Sequence, residues 1–217
     1  MTVSRAQRKE QTRQRILDAA LALLESGRGL DSLGLREVAR QAELAAPSLY
    51  NHFPDMDSLG LALIDVACFR LREAMRQGRR ELIASDPQRG VRDLVARFMT
   101  YLGNHESEFR LLFQQRLGTS ATIRRRVHGE LQLLVEELAE DVRSFAEQRG
   151  LPPVADLPAA EAAVAVMFGH GVLALDMTPA QRRAGARRVA EQLAMVFLGA
   201  RALTGGARLG DRLTPVS

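Results

Sequence analysis

Two short apolar stripes joined by a tight turn, between Leu33 and Phe53, constrain this chain more than any other stretch. Leu35, Val38, Ala39 and Ala42 recur at helical spacing, with Gly34 before them. Pro47 opens a second run in which Leu49 and Phe53 share a face at i, i+4. Two helices of this size around a turn at Glu43–Ala46 have the dimensions of a helix-turn-helix. Packing Leu35, Val38, Ala39, Leu44, Leu49 and Phe53 inward leaves Pro47, Ser48, Tyr50, Asn51 and His52 outward. That set suits a major groove, since asparagine can pair with adenine, serine with phosphate, and tyrosine with phosphate or a thymine methyl. The competing reading is a plain helical hairpin whose polar residues face water.

The rest of the chain repeats the helical period and nowhere alternates like a strand. Ser4 with Gln7 reads as a capping box ahead of Ile16, Ala20, Leu23 and Leu24, and Gly27 and Gly29 end that helix. Pro54 and Asp55 stop the second motif helix and cap a long fourth one, running from about Asp57 into the Arg79–Arg80 region. Asp86-Pro87 starts a fifth helix, Asn104 caps a sixth that ends near Gly118, and Ser120 begins a seventh that continues to Gly150. Three prolines make 151–158 the clearest linker. An apolar eighth helix runs to about Leu175, and a second capping box, Thr178 with Gln181, opens a ninth reaching Leu203. The expected fold is all-α with about nine helices. Residues 1–55 form a three-helix helix-turn-helix module, 56–205 a helical ligand-binding and dimerisation domain, and 206–217 a flexible tail.

Charge placement adds to the first stripe. Arg5, Arg8, Lys9, Arg13 and Arg15 face only Glu10 in the first fifteen residues, so this arm carries the whole net charge of +4. A basic arm at one end points to a polyanion, or, read blandly, to a solvated helix start. The single cysteine, Cys68, excludes an internal disulfide framework and fits a reducing compartment. No apolar run is expected to reach the length of a bilayer, and the charged first residues do not look like a secretory signal, so the expected location is the cytoplasm.

The residues Leu35-Arg-Glu-Val-Ala-Arg-Gln-Ala and Pro47-Ser-Leu-Tyr-Asn-His-Phe, preceded by Ile16-Leu17-Asp18-Ala19-Ala20, closely resemble the DNA-binding module of TetR-family repressors. The resemblance covers roughly residues 5 to 60. It implies a recognition helix at about Ala46–Phe53, with Pro47, Ser48, Tyr50, Asn51 and His52 on the DNA, joined by Arg5, Arg8, Lys9 and Arg36. Two positions depart from the family pattern. Glu43 stands where glycine is common, at a cost if its φ is positive. Met56 replaces a phosphate-contacting lysine, a contact that the N-terminus of the fourth helix could supply instead.

Arg5-Ala-Gln-Arg-Lys-Glu-Gln-Thr-Arg, Phe53-Pro-Asp-Met-Asp-Ser-Leu-Gly-Leu and, outside the module, Phe109-Arg-Leu-Leu-Phe-Gln-Gln-Arg-Leu-Gly-Thr-Ser-Ala and Ala174-Leu-Asp-Met resemble the TetR-family repressors of unsaturated fatty acid synthesis, the FabR and DesT kind. That resemblance implies a long-chain acyl thioester effector, acyl-CoA or acyl carrier protein, and lipid-synthesis target genes. The candidate pocket is Leu71, Met75, Phe98, Leu102, Phe109, Phe113, Leu134 and Leu138, each of which could instead be plain core. Arg72, Arg76, Arg79 and Arg80, or Arg116 with Arg124, Arg125 and Arg126, are candidate exposed cations for the thioester's acidic part. The alternative is a TetR-like repressor that answers to a drug-like or aromatic molecule.

Met167 on the eighth helix and Val189, Leu193, Val196, Phe197 and Ala200 on the ninth are the candidate homodimer interface, with Gly169 and Gly171 permitting close approach. Twofold symmetry then matches a pseudo-palindromic operator on double-stranded DNA. His52, His105, His128 and His170 are scattered, and neither a phosphate-cradling loop nor metal-ligand spacing is visible, so no catalytic residue, metal or cofactor is expected.

Overall fold

The computed structural model describes residues 4–25, 27–84 and 87–204. The expected tail, 206–217, and Asp86 at the start of the fifth helix lie outside the described residues. Among the described residues the chain is all-helical, with no strand. Its helices are α1 (Arg5–Leu24), α2 (Leu35–Gln41), α3 (Ala46–Tyr50), α4 (Met56–Ala84), α5 (Pro87–Asn104), α6 (Glu106–Arg116), α7 (Ala121–Gln148), α8 (Asp156–Ala174) and α9 (Pro179–Thr204). One 3₁₀ turn, Leu30–Ser32, bridges α1 and α2 and leaves no mark in the apolar pattern.

Local chemistry sets most of these boundaries. Ser4 Oγ accepts the Gln7 amide at 3.1 Å while Gln7 Oε1 accepts the Ser4 amide at 2.8 Å, closing the expected capping box of α1. Thr178 and Gln181 do the same for α9, at 3.3 and 2.8 Å. Asp55 caps α4 by accepting the Ser58 amide at 2.7 Å. The sixth helix is different: Asn104 is the last residue of α5, and His105 precedes α6 without a side-chain cap.

The helices form two compact units that do not follow helix ends. One comprises residues up to Arg70 together with His105–Glu130; the other comprises Leu71–Asn104 with residues from Leu131 onward. Both α4 and α7 therefore contribute a segment to each unit.

In the first unit α1 packs on α2 and α6, and α2 packs on α3. Ile16, Ala20, Val38, Leu49, Phe53, Leu59, Leu63 and Ile64 are all within 1 % of complete burial there. Burying side chains of this kind contributes about 1.5–3 kcal/mol each, which offsets the weak intrinsic stability of helices as short as α2 and α3.

In the second unit α8 and α9 pack on each other and both pack on α5. A Cβ added at Gly185 of α9 would lie 2.4 Å from His170 Nε2 on α8, so the close approach falls at Gly185. Gly169 is exposed, with nothing of its own chain within 4 Å of an added Cβ. By length and composition α8 is apolar enough to cross a membrane, contrary to expectation, because its acidic residues Asp156 and Glu161 both sit near its start. Only a third of its most apolar stretch is buried within the chain.

Candidate functional site

The turn between α2 and α3 is made by Glu43, whose φ of 54° is the only positive value of a non-glycine among the described residues. The left-handed conformation that glycine adopts freely is therefore held here by a glutamate. Leu44 and Ala42 close the turn, with the Leu44 amide donating to the Ala39 carbonyl at 2.9 Å and the Ala42 amide to Val38 at 2.9 Å. Arg15 of α1 donates to the Ala42 carbonyl at 2.8 Å, fixing the end of α2. Arg28 grips Glu37 through two hydrogen bonds of 2.5 and 3.1 Å, which hold the Glu37 carboxyl below its usual range.

The recognition segment is shorter than its sequence implies. Regular helix covers Ala46–Tyr50 only, and Asn51 and His52 form a turn before Phe53. Pro54 is the reason, because a residue before proline is driven away from helical geometry. The turn still hangs from the helix: the His52 and Phe53 amides both donate to the Leu49 carbonyl, at 2.8 and 2.9 Å.

Pro47 and Asn51 are exposed, Tyr50 is 45 % exposed, and Ser48 and His52 are half-buried. Arg5, Arg8 and Lys9 stand exposed on α1, and Arg36 is exposed on α2. Burial first, then the charges of Lys9 and Arg13, push the His52 pKa down, which places the basic face of α1 beside the end of the recognition segment. Arg13 lies over the Phe53 ring, 4.5 Å from its centroid. Sequence reasoning counts Arg13 as charge without giving it a role; its i, i+4 spacing from Lys9 is the available signal.

The N-terminus of α4 does not offer the open phosphate site expected of it. Asp55 already occupies the Ser58 amide, and Asp57 in the first turn accepts a hydrogen bond from Ser120 at 3.3 Å. Two carboxylates at that end repel a phosphate.

In the second unit α4, α5, α7 and α8 line a cavity of about 30 Å³. Five of the eight candidate pocket residues line it, namely Leu71, Met75, Phe98, Leu134 and Leu138. Leu102 is 1 % exposed but does not line it; Phe109 is fully buried in the other unit, and Phe113 is 39 % exposed there. Met167, expected at the interface, lines the cavity instead.

Val189 and Leu193 are completely buried within their own unit, and Ala200 is 7 % exposed, so they present little or nothing to a second chain. Helical phase explains the difference, because the most regular apolar stripe of α9 is the one the chain buries itself. Val196 and Phe197 are half-buried. The outward faces carry Leu173 on α8 and Met195, Leu198 and Leu203 on α9, all at least half exposed.

The expected surface cations are mostly engaged. Arg79 is buried; Arg124 donates to the Gly118 and Thr119 carbonyls at 2.6 and 2.7 Å; Arg126 pairs with Asp65 at 2.7 Å and Glu130 at 3.3 Å. The side chain of Arg80 lies outside the described residues. Among the described residues no group of His, Cys, Asp and Glu could hold a metal ion.

An exposed polar set on a helix-turn-helix, backed by a basic helix face, defines a DNA-binding module, and comparison with known proteins identifies its kind. Residues 16–63 match the profile of bacterial regulatory proteins of the tetR family. The fold is that of a TetR-like transcriptional regulator from Rhodococcus sp. RHA1, at 21 % identity over 87 % of this chain and 96 % of that one, with a TM-score of 0.64. It is also the fold of AibR solved with isovaleryl coenzyme A and operator DNA (18 % identity, 86 % and 98 % covered, TM-score 0.60). The multidrug binding protein EbrR, solved with malachite green, shares it too (21 %, 85 % and 97 %, TM-score 0.67). The chain thus carries a tetR-type DNA-binding module over residues 16–63 and has the fold of TetR-like transcriptional regulators.

Proposed function

We propose that this regulator is a ligand-responsive repressor that binds a pseudo-palindromic operator as a homodimer and senses a long-chain acyl thioester, acyl-CoA or acyl carrier protein, to control genes of unsaturated fatty acid synthesis. The observation that carries the sensing reading is the apolar cavity whose wall includes Leu71 and Met75 of α4, the helix that begins directly after the recognition segment. One continuous helix thus serves both the DNA module and the cavity.

As it stands the cavity has a volume on the order of one water, whereas a ligand of drug size occupies about 300–1,000 Å³. Binding must therefore push α4, α5, α7 and α8 apart. Each buried methylene contributes about 0.8 kcal/mol, so a chain of ten or more supplies about 8 kcal/mol towards that opening. Displacement of α4 would change the spacing of the two recognition segments in a dimer, a population shift between DNA-competent and incompetent states. Apolar residues left outside on α8 and α9, Leu173, Met195, Leu198 and Leu203, favour a second copy of the chain as their cover.

AibR's complex with isovaleryl coenzyme A supports a thioester as a ligand this fold can take, and the sequence similarity to FabR and DesT extends it to long chains. EbrR's complex with malachite green favours the second reading, a drug-like or aromatic effector. Operator binding titrated with saturated and unsaturated long-chain acyl-CoA at fixed salt tests the first. A chain-dependent change in affinity is the expected result. Indifference to every acyl-CoA, with a response to aromatic dyes, would transfer the sensor role to the second reading.

A further inference from the structure

The cavity wall contains one charged residue among nine apolar ones. Arg79 is 7 % exposed and lines the cavity with Leu71, Met75, Leu94, Phe98 and their neighbours. Its Nε donates to Asp141 Oδ2 at 2.5 Å and its Nη2 to Glu137 Oε2 at 2.6 Å. The third nitrogen, Nη1, is buried and reaches no acceptor of the protein. Neither carboxylate lines the cavity. The backbone beneath is fixed as well: at Gly78 a Cβ would come within 3.1 Å of Leu94 and Arg97, so α4 and α5 meet there closely.

A guanidinium so placed has two nitrogens tied down and a third, buried, without an acceptor. Water is a poor occupant, because a buried water needs two to four polar partners and this wall offers one polar side chain. A cationic ligand would meet a guanidinium first. An anionic one would enter a trio that already sets two carboxylates against one cation, and whose Asp141 is pushed up in pKa chiefly by burial. A neutral acceptor avoids both penalties.

We infer that the effector is an apolar molecule bearing one uncharged carbonyl, of the amide, ester or thioester kind, and that Arg79 Nη1 donates to that oxygen. The inference rests on the reading of this cavity as the sensor site, and it adds the head-group chemistry that site selects.

Calorimetric titration of the full-length protein, without DNA, tests it with four probes of similar chain length. These are N-methyldecanamide, decanoate, decyltrimethylammonium and undecane. The amide is expected to bind about tenfold or more tighter than the other three, the gain of one hydrogen bond to a charged group. In Arg79→Met that advantage should vanish while undecane binding stays the same. Equal affinities, a preference for either charged probe, or an amide preference that survives Arg79→Met would overturn the inference and leave the sensor cavity standing. Failure of every probe to bind would overturn both. Should Arg79→Met not fold, the wild-type ranking decides alone.

Discussion

The helix-turn-helix module and the second unit of this molecule distribute polarity in opposite ways. The module, α1 to α3, is apolar inside and polar outside: Phe53, Leu49 and Val38 are buried to within 1 %, while Tyr50, Asn51, Arg5, Arg8 and Lys9 face solvent. The second unit places Arg79, paired with Glu137 and Asp141, in its cavity wall and leaves Met195 70 % and Leu198 66 % exposed. An exposed polar face is what a polyanion needs, because water has only to be exchanged there. An exposed apolar face and an interior guanidinium, by contrast, are each costly until a partner covers or pairs them. The module presents a finished polar surface; the second unit is built to be completed.

Removing the dry interior of the first unit should have the largest effect. Phe53→Ala deletes a fully packed ring and the seat of Arg13, at a cost of about 3–5 kcal/mol, and chemical denaturation should report it. Operator binding should disappear with the module's fold. The apolar exterior of the second unit comes next: Met195→Glu with Leu198→Glu should turn a dimer into a monomer in sedimentation, with little change in helicity. A dimer that survives both charges would mean that the outward stripe of α9 is covered by something else.

The polar exterior of the first unit is tested more gently. Asn51→Ala should weaken operator binding by about 1–3 kcal/mol and leave random DNA untouched, as read by fluorescence anisotropy. Replacing Arg5, Arg8 and Lys9 by glutamine should instead weaken all DNA alike and flatten the salt dependence, by about 0.9 in slope for each phosphate left without its cation. A smaller effect is expected at the turn. Glu43→Gly relieves a φ of 54° and should stabilise the protein by about 0.5–1 kcal/mol in the same denaturation experiment.

The smallest is a pH effect shared by both units. Burial holds His52 and His170 below the usual histidine value, helped by Lys9 and Arg13 in one case and Arg188 in the other. The unfolded chain thus binds more protons than the folded one near and below pH ~6.5, so stability rises with pH there and is lost as pH falls. A melting temperature that drops from pH 7.5 to 5.5, and drops less in His170→Gln, is the expected outcome.

Much of the module is legible in the sequence because its determinants are local. The capping boxes at Ser4 and Thr178, the positive φ at Glu43 and the inward set Leu35, Val38, Leu49 and Phe53 all depend on neighbours within a few residues. The sequence overstates the length of the recognition helix because Pro54 acts one residue upstream of itself. On α9, apolar regularity marks the face that the helix buries most completely in its own unit. Val189 and Leu193 are accordingly interior. Arg79 reads as a surface cation in the sequence, since nothing near it announces Glu137 and Asp141, some sixty residues away.

The sequence by itself determined the helical class, the turn, the basic arm and the side chains exposed on the recognition segment, because hydrophobic period, caps and φ preferences act over single turns. Only the tertiary structure decided which apolar stripe faces inward, where the cavity lies and that one guanidinium lines its wall. Those outcomes depend on contacts between α4, α5, α7 and α8, whose relative rotations no local pattern encodes.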